Sequence, residues 1–106
     1  MIVVNRFRVP EADAAAFRED LERANATLAR GKGYLAGTIG RNVDDPTLWV
    51  LSTTWENVGS YRRALSSYDA KLHAVAVLGR AIDEPSAFEV VEPETVLNVG
   101  SPRSLG

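Results

Sequence analysis

Three sets of residues combine reactive chemistry with an unusual setting. The first is Asn5, an amide among Val3, Phe7 and Val9 on the more apolar side of a strand-like segment. A buried amide must find hydrogen bonds or cost roughly 1–3 kcal/mol. Asn5 therefore either bonds a nearby backbone group or serves a pocket. The second is His73, the only histidine, with Asp69 one helical turn earlier. One reading is a boundary histidine held by that aspartate. The other is a base, since imidazole titrates near neutral pH, or an axial haem ligand. The third is the aromatic set Trp49, Trp55, Tyr61 and Tyr68. Trp49 reads as core. Trp55 and Tyr61 fall where a strand meets a helical region, where they can line a cavity and bring polar handles to it.

Other chemistries are excluded by what the 106 residues lack. With no cysteine there is no disulfide, thiolate or cysteine-based metal site, and one histidine makes no poly-histidine cluster. No Ser-His-Asp or Cys-His arrangement, phosphate loop or dinucleotide fingerprint is recognisable; the glycines of Gly31-Lys32-Gly33 follow a helix rather than opening one. A net charge of −2 without a basic patch gives no reason to expect nucleic acid. The apolar runs are too short to cross a membrane and the first residues do not resemble a signal peptide, so a cytoplasmic protein is expected.

The elements that must position these residues follow from periodicity. Residues 2–9 alternate as a strand, with Val3, Phe7 and Val9 facing inward. Pro10, Glu11 and Asp13 open a helix whose stripe is Ala14, Phe17, Leu21, Ala24 and Leu28, ended by Gly31 and Gly33. Residues 34–43 and 47–56 form a hairpin around Asp44-Asp45-Pro46. Gly37 and Gly40 in its first strand suggest a bulge or a close approach. Asn57 caps a second helical region running to about Ala81, with a break expected at Ser66-Ser67 and a stripe of Tyr68, Leu72, Val75 and Ala76. Residues 86–92 are the last core strand, and Thr95–Val99 a possible extra one. This places one domain over residues 1–92 and an extension over 93–106.

The order β-α-β-β-α-β is the ferredoxin-like α+β arrangement, a four-stranded antiparallel sheet with its helices on one face. Large apolar groups occur on both faces of the strands: Ile2, Val4, Leu48 and Val50 on one, Phe7, Trp49, Leu51 and Trp55 on the other. Helices cover only one face, so the bare face is expected to pair with a second copy, giving a homodimer.

The segment Thr53-Thr54-Trp55-Glu56-Asn57-Val58-Gly59-Ser60-Tyr61, together with Gly33-Tyr34-Leu35 and the element order, resembles the antibiotic biosynthesis monooxygenase family over about residues 1–92. The resemblance implies a dimeric α+β barrel and two branches of activity. In the cofactor-free branch, molecular oxygen oxidises a phenolic, quinol-like substrate without flavin or metal. Trp55 and Tyr61 match its aromatic pocket positions, and His73 would be the base. In the haem-degrading branch, Asn5 and His73 match the pocket asparagine and the proximal histidine, making His73 a metal ligand there. Ala64 stands where that branch has a tryptophan. The expected site is therefore His73 and Asn5 as catalytic groups with Trp55, Tyr61, Phe7 and Tyr68 around a small aromatic substrate. A non-catalytic dimeric binding module on the same fold is the third reading.

Overall fold

The computed structural model describes residues 1–97. Strand β1 (Ile2–Arg8) leads through a 3₁₀ turn at Glu11–Asp13 into helix α1 (Ala14–Leu28). Strands β2 (Tyr34–Arg41) and β3 (Leu48–Trp55) follow, then three short helices, α2 (Val58–Ser66), α3 (Tyr68–His73) and α4 (Val75–Leu78), and finally β4 (Ala87–Phe88). The sheet order is β2-β3-β1-β4, all antiparallel. This is the ferredoxin-like α+β fold expected from the element order.

Pairing of Val3, Asn5 and Phe7 with Thr53, Leu51 and Trp49 sets one alternating face of β1 and β3 under the helices. Two apolar clusters fill the space between. One contains Phe7, Phe17, Leu21, Trp49, Leu51 and Val77; the other contains Val3, Leu28, Trp55 and Ala64, with Tyr34 and Tyr61 against it. Asn5 lies in β1 between Val3 of one cluster and Phe7 of the other, so the amide marks their seam. Phe7 is wholly core, its ring 5.1 Å from that of Phe17.

The β2–β3 hairpin is tied by side chains. Asn42 Oδ1 accepts from the backbone N–H groups of Asp44 and Asp45, and Asp45 Oδ1 accepts from the backbone and the hydroxyl of Thr47. The Thr47 hydrogen bonds, with Arg8 beside them, hold the Asp45 carboxyl down at about 2. Gly33, at φ 95°, turns the chain from α1 into β2. At Gly37 a side chain would collide with Tyr34 Oη and Asn25 Oδ1, which pass over it, and the register shifts between Tyr34 and Ala36.

Two expectations are corrected by the second helical region and the end of the chain. Asn57 caps α2, accepting from Ser60 N at 2.9 Å. At Ser67 the backbone is extended (ψ 153°), and its hydroxyl caps a new helix by accepting from Ala70 N. That restart changes the helical phase. Tyr68, Leu72 and Val75, expected to be buried, are exposed, and Ala70, Ala74 and Val77 face the core instead. Small residues there let α3 lie close on α1. The last strand is shorter than residues 86–92: only Ala87 and Phe88 pair with β1, opposite Val3 and Ile2. Residues 95–97 form no strand, and the remainder of the expected Thr95–Val99 strand lies outside the described residues.

Candidate functional site

Trp55 is the centre of the site. It ends β3, is 1% exposed, and its Nε1 donates to Thr53 Oγ1 two residues back at 2.9 Å. The indole's single donor is thus spent within its own strand, and the ring is what Trp55 offers its neighbours. Tyr34 meets the ring edge-on at 5.3 Å and Tyr61 meets it tilted at 5.4 Å. Tyr61 is brought there because α2 starts three residues after β3 ends, held by the Asn57 cap.

Each flanking phenol has an asparagine. Tyr34 Oη donates to Asn25 Oδ1 at 2.8 Å. The Asn5 amide lies beside the Tyr61 phenol. Burial pushes the Tyr61 pKa up, and the Asn5 hydrogen bond partly opposes this by favouring the phenolate. Tyr61 is therefore a neutral O–H donor at neutral pH.

Of the expected site residues, Tyr61 meets Trp55 and has Asn5 beside its phenol, whereas Phe7 packs in the neighbouring cluster against Phe17. The other two lie elsewhere. Tyr68 is 75% exposed on the outer side of α3. His73 is exposed at the end of α3 and borders a separate cavity of about 240 Å³ with Asp20, Arg23 and Arg80. Nor is Asp69 its partner; that carboxylate is 3.4 Å from Arg30 Nη1. The phase change at Ser67 carries Tyr68 off the face that periodicity assigned it, while His73, read at the boundary of that stripe, is exposed.

The residues matched to the haem branch lie in different surroundings. Asn5 is engaged with Tyr61, His73 faces a charged groove, and Ala64 packs beneath Gly31, where even a Cβ would stand 2.9 Å from the Ala64 Cβ. Among the described residues no group of three or more His, Cys, Asp or Glu side chains is placed to hold a metal ion, and no helix is long and apolar enough to cross a membrane.

Sequence reasoning passed over a second cavity, of about 300 Å³, between the end of α1 and the start of α2. Arg30, Lys32 and Arg63 line it, with Ser60, Gly31 and Ala64. Its signals were Gly33 and Ser60: Ser60 is 2% exposed because it packs where Gly33 has no side chain.

The fold and the Trp55 centre define a ferredoxin-like α+β domain with an aromatic cluster between its sheet and its helices. The model of the antibiotic biosynthesis monooxygenase family matches residues 1–75, and the chain belongs to that family. A solved structure of SnoaB from Streptomyces nogalater, described as a cofactor-independent oxygenase, is 27% identical, covering 86% of this chain and 92% of that one with a TM-score of 0.69. A single-site variant of SnoaB aligns at 28% identity over 91% and 94%, with a TM-score of 0.68. A conserved protein from Methanosarcina mazei Go1 shares the fold at 15% identity, over 81% and 84% of the two chains, with a TM-score of 0.66. No curated protein sequence matches the chain.

Proposed function

We propose that this protein is a monooxygenase that uses molecular oxygen on an aromatic, quinol-like small molecule without flavin or metal. The observation that carries the reading is Tyr61 set against the Trp55 ring, with Asn5 beside its phenol. Family membership and the likeness to SnoaB support it. The chemistry asks little of the protein: an electron-rich phenolate can itself give an electron to oxygen. Asn5 and Tyr61 supply donors that favour the ionised substrate, and the aromatic wall orients its ring and limits water. His73 lies outside this arrangement, so the substrate's own acidity, raised by these donors, takes the place of a side-chain base.

The test is anaerobic against aerobic incubation with an anthrone, following quinone formation. Oxygen-dependent product that falls by about tenfold or more in Asn5→Ala and Tyr61→Phe is expected, as for loss of a positioned donor. A haemin titration run beside it addresses the haem reading. A Soret shift abolished in His73→Ala, without anthrone oxidation, would overturn the cofactor-free reading. If neither activity nor haem binding is found, a non-catalytic binding domain is left.

The proposal includes a homodimer formed through the bare face of the sheet. Support comes from Ile2, Val4, Leu48 and Val50, which lie on that face, and from Phe88, 48% exposed opposite Ile2. Helices cover only the other face, and a domain of this size keeps much apolar surface unless it pairs.

A further inference from the structure

The cavity between α1 and α2 is set apart by its charges. Among the described residues, most arginines are neutralised: Arg6, Arg8, Arg18, Arg23 and Arg80 each contact a carboxylate. Among the described residues Lys32, Arg41, Arg62, Arg63 and Lys71 have no carboxylate in ion-pair contact, and of these Lys32 and Arg63 line this one cavity. Arg30 lines it too, paired with Asp69, the one carboxylate in the wall. Three cations and one anion thus converge in a chain whose net charge is −2.

Arg63 is also held in place. Its Nη2 donates to Ser60 Oγ at 3.3 Å, and Ser60, 2% exposed, is in turn bonded to Asn57 Oδ1. The guanidinium lies against Gly59, where a Cβ would stand 3.1 Å from Nη1. An arginine folded back on its own helix presents a fixed fork rather than a mobile charge. Below it Gly31 and Ala64 lie in close contact, with Thr27 and Ser67 also in the wall, and a Cβ at Gly31 would stand 3.5 Å from Trp55 Cζ3. A patch of small residues under a cationic rim suits a compact ring that carries an acid group.

We infer that this cavity is a binding site for a small planar aromatic carboxylate. The ring lies over Gly31 and Ala64, on the far side of the wall that Trp55 backs, and the carboxylate is taken by Arg63 and Lys32. The site is separate from the Asn5–Tyr61 pair, and it stands whether or not that pair supports oxygenation.

Calorimetric titration with 2-naphthoate and with its neutral counterpart 2-naphthamide tests the inference without turnover. Naphthoate is expected to bind about tenfold or more tightly than the amide at low salt, with the difference shrinking as salt is added. The Lys32→Ala/Arg63→Ala double variant is expected to reduce naphthoate to the affinity of the amide. The Arg62→Ala/Lys71→Ala double variant removes the same net charge outside the cavity and is expected to bind as the parent does. All four side chains are exposed, so folding is preserved, and circular dichroism checks it. Equal affinity for the two ligands, no binding of either, or an equal loss in both double variants would overturn the inference.

Discussion

At the scale of single residues, the Tyr61 phenol is the most informative group. Burial raises its pKa and Asn5 holds it back, so two environmental effects act against each other on one proton. Removing Asn5 leaves only burial. Asn5→Ala is therefore expected to move the Tyr61 ionisation further upward, seen by ultraviolet difference titration against Tyr61→Phe. An unchanged or lowered value would mean that the amide does not donate to this phenol. Asp45 offers a second titration with the opposite sign. Its carboxyl is depressed to about 2 by Thr47 and Arg8, so its contribution to stability is full above the ordinary carboxylate range and is lost as pH falls toward that value. Asp45→Asn is expected to lower Tm near neutral pH, and the gap from the parent should close between about pH 4 and pH 2. A gap that persists at the acid end would assign the effect to hairpin shape rather than charge. Asn5 was legible in the sequence as a polar residue on an apolar face. Its partner was not, because which helix residue reaches β1 depends on the α2 cap and on the order of the strands.

At the scale of elements, the junctions decide where side chains point. The strands were readable because alternation has a fixed period of two, and one register places Asn5, Phe7, Trp49 and Trp55 on the same face. Helix α1 was readable for the same reason at its own period. The second helical region was not. Its break at Ser66-Ser67 was visible, but the extended backbone at Ser67 resets the phase, and a stripe read across the break puts Tyr68 and Leu72 on the wrong side. Alanines give no periodic signal, so Ala70 and Ala74 did not announce themselves as the buried residues. The turn at Gly33 is a junction of the same importance. Its φ of 95° disfavours any side chain, and a Cβ there would press into Ser60. Gly33→Ala is expected to cost about 1–3 kcal/mol in urea unfolding, from backbone strain together with the displaced Ser60. Losing the Asn57 cap in Asn57→Ala should cost about 1 kcal/mol, and it should also loosen Ser60, whose N–H and hydroxyl both rest on Asn57. A Gly33→Ala variant as stable as the parent would show that the turn accommodates a side chain by moving.

At the scale of the whole molecule, the question is which properties belong to one protomer and which to a pair. The Asn5–Tyr61 contact, the Trp55 ring and the Arg63 rim are all made within a single chain. The face opposite the helices is different in kind: Val4, Val50 and Leu48 are only half-buried there, and Arg6 is held over the edge by a two-pronged bond to Glu84. Placing a charge in the middle of that face should therefore separate the copies and leave the inner layer alone. Val50→Lys is expected to halve the mass measured by light scattering, because an unpaired ammonium buried between two sheets costs several kcal/mol. The same variant should keep the parent's Tyr61 titration, since no group of the second copy takes part in that contact. A parent already monomeric would remove the pairing from the proposal. If instead the variant is monomeric and its Tyr61 titration moves, the sheet face and the aromatic site are coupled, and the site works as a property of the dimer.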